Sequence, residues 1–152
     1  MKKIKKLTGI ALAGAIGLSG LGLIGATEAS AAQISGSGSG THQSTIKYDI
    51  VVKTGTETNA GTDANVTLTI YGENGSESFN LANGQDNFEK GDEDRFSLYG
   101  KDVGKIKKIN LYQDGSGNKP GWQVEWIKIN GLHIGINAWL GDGSSGSFEK
   151  SL

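Results

Sequence analysis

Side chains able to do chemistry are few and unevenly placed in these 152 residues. Cysteine is absent, and the only imidazoles are His42 and His133. Serine is plentiful, but a nucleophilic serine needs a base beside it. His42 lies in a Ser/Gly-rich stretch, and His133 falls in the strand-like run Leu132–Ile136. Neither suits a catalytic pairing. A tetrahedral zinc site lacks its usual thiolate or clustered-imidazole ligands. What the chain does offer is oxygen. The polar stretch Thr54–Val66 has Asp63 and Asn65 at its exit, and Gly55 and Gly61 open backbone angles closed to other residues. A second stretch, Ala82–Asp94, carries Asp86, Asn87, Glu89, Asp92, Glu93 and Asp94 against Lys90 alone. Loops rich in carbonyls and carboxylates are what a hard cation such as calcium requires. Each stretch taken singly also fits a solvated connection between strands. Its acids could in principle cleave a glycoside, but that chemistry needs an aromatic cleft that the sequence does not signal.

A third polar stretch runs from Asp114 to Gly121. Its Asp114-x-Ser116-x-Asn118 spacing, with Glu125 twelfth, imitates a helical calcium loop. That motif demands glycine in sixth place, where Lys119 stands, and the flanking residues read as strand. The motif is rejected.

The elements that must carry these loops alternate with period two. Ile46, Tyr48, Ile50 and Val52 share one strand face, and Val66, Leu68 and Ile70 share another, with Thr67, Thr69 and Tyr71 outward. Ser78–Leu81, Arg95–Tyr99, Gly104–Tyr112, Trp122–Ile129 and Leu132–Ile136 read as further strands, and Ala138–Leu140 follows. Ile106, Ile109 and Leu111 break strict alternation, which predicts a bulge near Lys107-Lys108. Asn74-Gly75 predicts a tight type I′ hairpin, and Asn130-Gly131 a second hairpin. Phe88 interrupts the acidic loop as a core anchor, and Trp122 belongs to the core. The tail beyond Gly141 offers only Phe148 and Leu152 as anchors. About eight short strands without a helical period predict an all-β, antiparallel β-sandwich.

The N-terminus is of another kind. Lys2, Lys3, Lys5 and Lys6 precede an apolar, glycine-broken run from Leu7 to Ala26, and Ala29-Ser30-Ala31 offers small-x-small cleavage. This predicts a secretory signal peptide over 1–32, cut near Ala31 or Ala32. An uncleaved anchor is the alternative that the glycines and the cleavage site disfavour. Residues 33–44 form a Gly/Ser-rich tether, and 45–152 form one domain of about 108 residues, enough to fold alone. Export without cysteine points to a bacterial secreted protein. Removing the four lysines and Glu28 from 15 basic and 16 acidic side chains leaves 11 against 15, a net of −4. No concentrated basic face is available for nucleic acid.

In order, the chain carries Tyr48-x-Ile50-x-Val52-Lys53-Thr54-Gly55, Ala60-Gly61-Thr62-Asp63-Ala64-Asn65-Val66 and Tyr71-Gly72-Glu73-x-Gly75. Asn87-Phe88-Glu89-Lys90-Gly91, Gly104-x-Ile106, Pro120-Gly121-Trp122 and Trp139-Leu140 follow. From Ile46 to Leu140 this series resembles the PLAT domain (polycystin, lipoxygenase, alpha-toxin), also called the lipoxygenase-homology domain. The resemblance implies a sandwich of two four-stranded sheets. It also implies a non-catalytic module that binds protein partners or lipid and cell surfaces, often with calcium in the edge loops. Carried over by motif, Gly61, Thr62 and Asp63 would supply main-chain and carboxylate oxygens. Asp86, Asn87 and Glu89 would face them, with Asp92 and Asp94 as weaker candidates. The family often has acids where Lys119-Pro120-Gly121 stand here, which leaves room for a weaker or vestigial site and a calcium-independent module. Thr56–Asn59 and Asp114–Gly121 have no bulky aromatics for membrane insertion. Trp139 is the one matched aromatic able to reach a membrane, with a core or rim place favoured.

Overall fold

A computed structural model describes residues 43–119 and 121–152. The expected signal peptide, and the tether up to His42, lie outside the described residues. Eight strands follow: β1 Thr45–Thr54, β2 Val66–Gly72, β3 Gly75–Asn80, β4 Glu93–Lys101, β5 Ile106–Gln113, β6 Trp122–Ile129, β7 Leu132–Leu140 and β8 Gly146–Ser151. They form two four-stranded antiparallel sheets, ordered β4-β1-β6-β7 and β3-β2-β5-β8.

The predicted alternation decides which face is buried. Val66, Leu68 and Ile70 of β2 are buried while Thr67, Thr69 and Tyr71 are half-buried on the other side. With Ile109 and Leu111 beside them, the buried residues meet Tyr48, Ile50, Val52, Trp122, Val124, Ile127 and Ile129 across the sandwich core. Burying a side chain of this size contributes roughly 1.5–3 kcal/mol each. Tyr48 also ties a connection down: its hydroxyl donates to the Lys101 carbonyl (2.8 Å) and accepts from the Val103 amide (3.2 Å).

The expected bulge is Lys107. Tyr71 pairs with Lys108 and Gly72 with Ile106, so Lys107 is the extra residue in β5. A second bulge lies in β7: Val124 faces Ala138 while Trp126 faces Gly135, and Asn137 takes the left-handed conformation (φ 50°).

Three sequence expectations need correction. Asn130-Gly131 is a type I′ turn, with φ of 48° and 87°, but Asn74-Gly75 is not. Its turn residues are Glu73 and Asn74, and Gly72 pairs with Gly75. The cause is tertiary: the Glu73 and Asn74 amides donate to the Lys105 and Val103 carbonyls of the β4–β5 connection. The tail after Gly141, expected to offer only Phe148 and Leu152 as anchors, holds a full edge strand, β8, whose Phe148 packs on the core, and Leu132–Leu140 is one strand. Finally, Gly55 and Gly61 do not adopt left-handed angles. Gly61 is needed for space, since a β carbon there would press on the Phe88 and Lys90 main chain, while one at Gly55 would displace the Gln123 side chain.

Candidate functional site

The pairing places four connections at one edge of the sandwich. Lys53 faces Glu93, Thr54 faces Val124, Trp122 faces Leu140, Thr67 faces Asn80, and Gln113 faces both Val66 and Gly146. The stretches 55–65, 81–92, 114–121 and 141–145 therefore share that edge.

Phe88 binds the first two together. Its ring is buried, 4.8 Å from the Trp122 ring and 5.8 Å from Phe96. Its carbonyl accepts from the Thr62 amide at 3.1 Å, and its own amide donates to Asp94 Oδ2 at 2.8 Å. Phe88 holds φ at 66°, a region costly for a bulky residue. Three anchors at once offset that strain. Gly61 lies so close that a β carbon there would sit 2.9 Å from the Phe88 carbonyl oxygen. Trp122 in turn donates its indole N–H to buried Thr54 Oγ1 at 3.0 Å.

Between the two loops lies a cavity of about 270 Å³, lined among others by Thr62, Asp63, Asn65, Asp86 and Asn87. Asp63 and Asp86 are exposed and Asn87 is half-buried. Asp63 Oδ2 accepts from the Asn118 amide at 3.3 Å, so the third loop closes on it from the far side. Thr62 has spent its hydroxyl, which donates to the Lys119 carbonyl at 2.6 Å and accepts from the Ala64 amide. Its main-chain oxygen, which accepts none of the hydrogen bonds described among these loops, is the freer donor for a ligand.

The other predicted residues stand elsewhere. Gly61 backs the cavity through its contact with Phe88. Glu89 faces the Lys119 ammonium at 3.4 Å. Asp92 serves through its main chain, its carbonyl accepting from the Thr54 amide at 3.0 Å. Asp94 holds Phe88; burial pushes its carboxyl above the usual range, the Phe88 amide pulls it back, and Asp92, Asp86 and Glu89 push it up again. Among the described residues, no three Asp, Glu or His side chains converge as a ready metal cluster. Two carboxylates, an amide and main-chain carbonyls around one polar cavity do match the donor type of calcium, which completes its six to eight ligands with carbonyls and water.

Sequence reasoning missed one feature of this edge. Asp114 clamps the third loop: Oδ1 accepts from the Ser116 amide (2.9 Å) and hydroxyl (2.6 Å), and Oδ2 accepts from Asn65 Nδ2 (2.8 Å). The Asp-x-Ser spacing was its signal, an Asx turn and not a metal loop. Trp139, for which the sequence favours a core or rim place, is not in the core and remains 46% exposed beside the loops. His133, by contrast, is a strand residue as expected, its ring 5.1 Å from Trp126.

Comparison with known proteins agrees with this architecture. The PLAT/LH2 domain family model matches residues 48–150. Human lipoxygenase homology domain-containing protein 1 is 38% identical over 114 residues, covering 70% of this chain and 6% of that protein. The crystal structure of coral 8R-lipoxygenase, described with calcium activation via a C2-like domain, superposes with a TM-score of 0.62 at 28% identity. It covers 68% of this chain and 16% of the lipoxygenase. Alpha toxin from Clostridium absonum shares the fold alone, with a TM-score of 0.55 at 20% identity over 73% of this chain and 33% of the toxin. The chain belongs to the PLAT/LH2 domain family, and it spans only a small fraction of the relatives it matches.

Proposed function

We propose that this chain is a secreted, non-catalytic binding module whose loop edge takes up calcium and docks on a protein, lipid or cell-surface partner. One observation carries the reading: Asp63 and Asp86 approach a single polar cavity from two loops that Phe88 joins. The coral lipoxygenase domain, with its calcium activation, supports it by kinship. Thr62 and Asp63 on one side, with Asp86 and Asn87 on the other, would hold the ion. Calcium would draw the first two loops into one rigid surface for the partner. The basic and apolar N-terminus favours export, and extracellular calcium makes even a weak site serviceable. The folded region has one imidazole, His133, tilted against the Trp126 ring, which favours binding over turnover.

A second reading has its own observation. Lys119 stands in the third loop and already meets Glu89, so a built-in ammonium offsets part of the acidity that calcium would neutralise. On that reading the module binds its partner without metal. Melting in excess calcium against chelator separates the two. Calcium binding raises the melting temperature of the wild type, by about 2.7 kcal/mol of stability at a hundredfold excess over Kd. Asp63→Asn and Asp86→Asn abolish the rise. An unchanged melting temperature in the wild type defeats the calcium reading. Co-sedimentation with neutral vesicles, with and without calcium, tests the lipid branch; weak or no pelleting is expected.

A further inference from the structure

A larger concavity is bordered by the third loop. It is an open cleft of about 710 Å³ bordered by Thr58, Asn59, Asn118, Lys119, Trp139 and Asp142, with Gly121, Gly141 and Gly143 completing the wall. That volume lies in the usual range of small-ligand sites. It shares no lining residue with the Asp63–Asp86 cavity.

Its character comes from one ring among polar groups. Trp139 pairs with Gln123 near the end of β7, and the ring is 46% exposed. Gly121 supports it: a β carbon there would lie 3.9 Å from Trp139 Cε3 and Cζ3, ordinary contact that a larger residue would turn into a block over the indole. Asn59 enters the cleft from a left-handed position (φ 63°) that asparagine tolerates well. Among the described residues, the side chains of Thr58, Asn59, Asn118 and Asp142 have no protein hydrogen-bond partner. Hydroxyl, carboxamide and carboxylate groups therefore surround an open aromatic face.

We propose that this cleft binds a neutral sugar ring, stacked on Trp139. The electron-rich face of the indole suits the C–H face of a pyranose. The hydroxyls at the sugar's rim need mixed donors and acceptors, which two carboxamides, a hydroxyl and a carboxylate provide. Phosphate or sulfate ligands fit poorly, because the cleft's one cation, Lys119, is already matched to Glu89 and Asp142 adds negative charge. An acyl chain fits poorly too, since it would strip water from those four polar side chains without replacing their hydrogen bonds.

Cellotriose, maltotriose and tri-N-acetylchitotriose, titrated into the full chain in chelator, test this through tryptophan emission and amide shifts at Asn118, Gly121 and Gly143. At least one sugar should saturate with Kd on the order of 1 mM. Trp139→Ala should weaken it at least tenfold, roughly one decade of Kd. Asp142→Ala, a change in an exposed loop, should weaken it several-fold and serves if Trp139→Ala fails to fold. Trp126→Ala should bind as the wild type does. The proposal is overturned if none of the three sugars saturates, or if both cleft variants bind as well as the wild type. Trp139-dependent pelleting with phosphatidylcholine vesicles would make lipid the occupant and overturn it equally. Calcium response does not enter the outcome, so the metal reading stands or falls separately.

Discussion

The Thr62 amide lies 3.1 Å from the Phe88 carbonyl oxygen, and this bond joins two loops that are far apart in sequence. It forms only because Gly61 lets the strands of main chain touch. A β carbon at Gly61 would sit 2.9 Å from that same oxygen and 3.1 Å from the Lys90 nitrogen. Backbone on both sides cannot step aside as a flexible side chain could. Gly61→Ala should therefore destabilise by about 2 kcal/mol and lower the melting temperature by roughly 10 °C. A variant that melts with the wild type would show that the loops adjust freely.

The Trp122–Thr54 bond predicts non-additivity. Thr54→Val keeps the shape but strands a buried indole N–H, at about 1–3 kcal/mol. Trp122→Phe strands the buried hydroxyl and leaves a cavity. The double variant should cost less than the sum of the two, by at least about 0.5 kcal/mol. Denaturant melts of all four proteins measure it; simple additivity would show that the 3.0 Å bond contributes little.

Asp94 gives a pH dependence whose sign can be worked out. Burial raises its folded pKa above the unfolded value, so the native state binds the proton more tightly. The resulting stability is fully present below the unfolded pKa of about 3.9 and is lost as pH rises through the folded value. Asp94→Asn removes the charge and keeps an acceptor for the Phe88 amide. Its melting temperature relative to the wild type should improve as pH rises from that unfolded value through the folded one, and level off above it. A variant that loses ground over this range would mean the carboxylate is stabilised in the fold.

The edge-loop placement was only partly legible. Alternation in Val66–Tyr71 gives the buried face directly, and the irregular Ile106, Ile109 and Leu111 disclose the Lys107 bulge. The same Asn-Gly pair, however, makes a type I′ turn at Asn130 and another turn at Asn74. There the Val103 and Lys105 carbonyls, thirty residues on, select the geometry. Strand β8 was obscured because an edge strand with one core side chain, Phe148, carries little pattern. For the site, donor types were visible in the loops but their convergence was not. That depends on Phe88 at positive φ, held by Trp122, Phe96 and Thr62 through long-range packing. Trp139 was legible as the one matched aromatic able to leave the core, but the polar rim around it comes from loops far apart in sequence.

The Asn130 hairpin supplies a graded test. Asn130 takes φ 48°, accepts from the Asp49 amide through Oδ1 at 2.8 Å and donates its own amide to the Asp49 carbonyl at 2.9 Å. Gly131 takes φ 87° with open space around it. Gly131→Ala meets only the left-handed penalty, about 1–2 kcal/mol. Asn130→Ala meets a similar penalty and also loses the side-chain bond to β1, another ~1 kcal/mol. Asn130→Ala should therefore be the more damaging of the two in urea melts. The reverse order would place the strain at Gly131.

Asp114 answers to acid in the opposite sense from Asp94. Its hydrogen bonds from Ser116 and Asn65 hold the carboxyl well below the usual carboxylate range. The native state therefore binds this proton less tightly than the unfolded chain does. The clamp's stabilisation is present above the unfolded pKa of about 3.9 and is lost as pH falls through the folded value. Because the group is fully exposed, the effect should appear as local opening more than as a large change in global stability. Hydrogen exchange at the Asn65 and Ser116 amides, expressed as protection over intrinsic rates, reads it directly. Asp114→Ala should strip that protection at neutral pH while the amides of Ile127 and Ile129 in the core stay protected. Equal protection with and without the carboxylate would mean that the other bonds between these loops, Thr62 to Lys119 and Asn118 to Asp63, hold the third loop against the first.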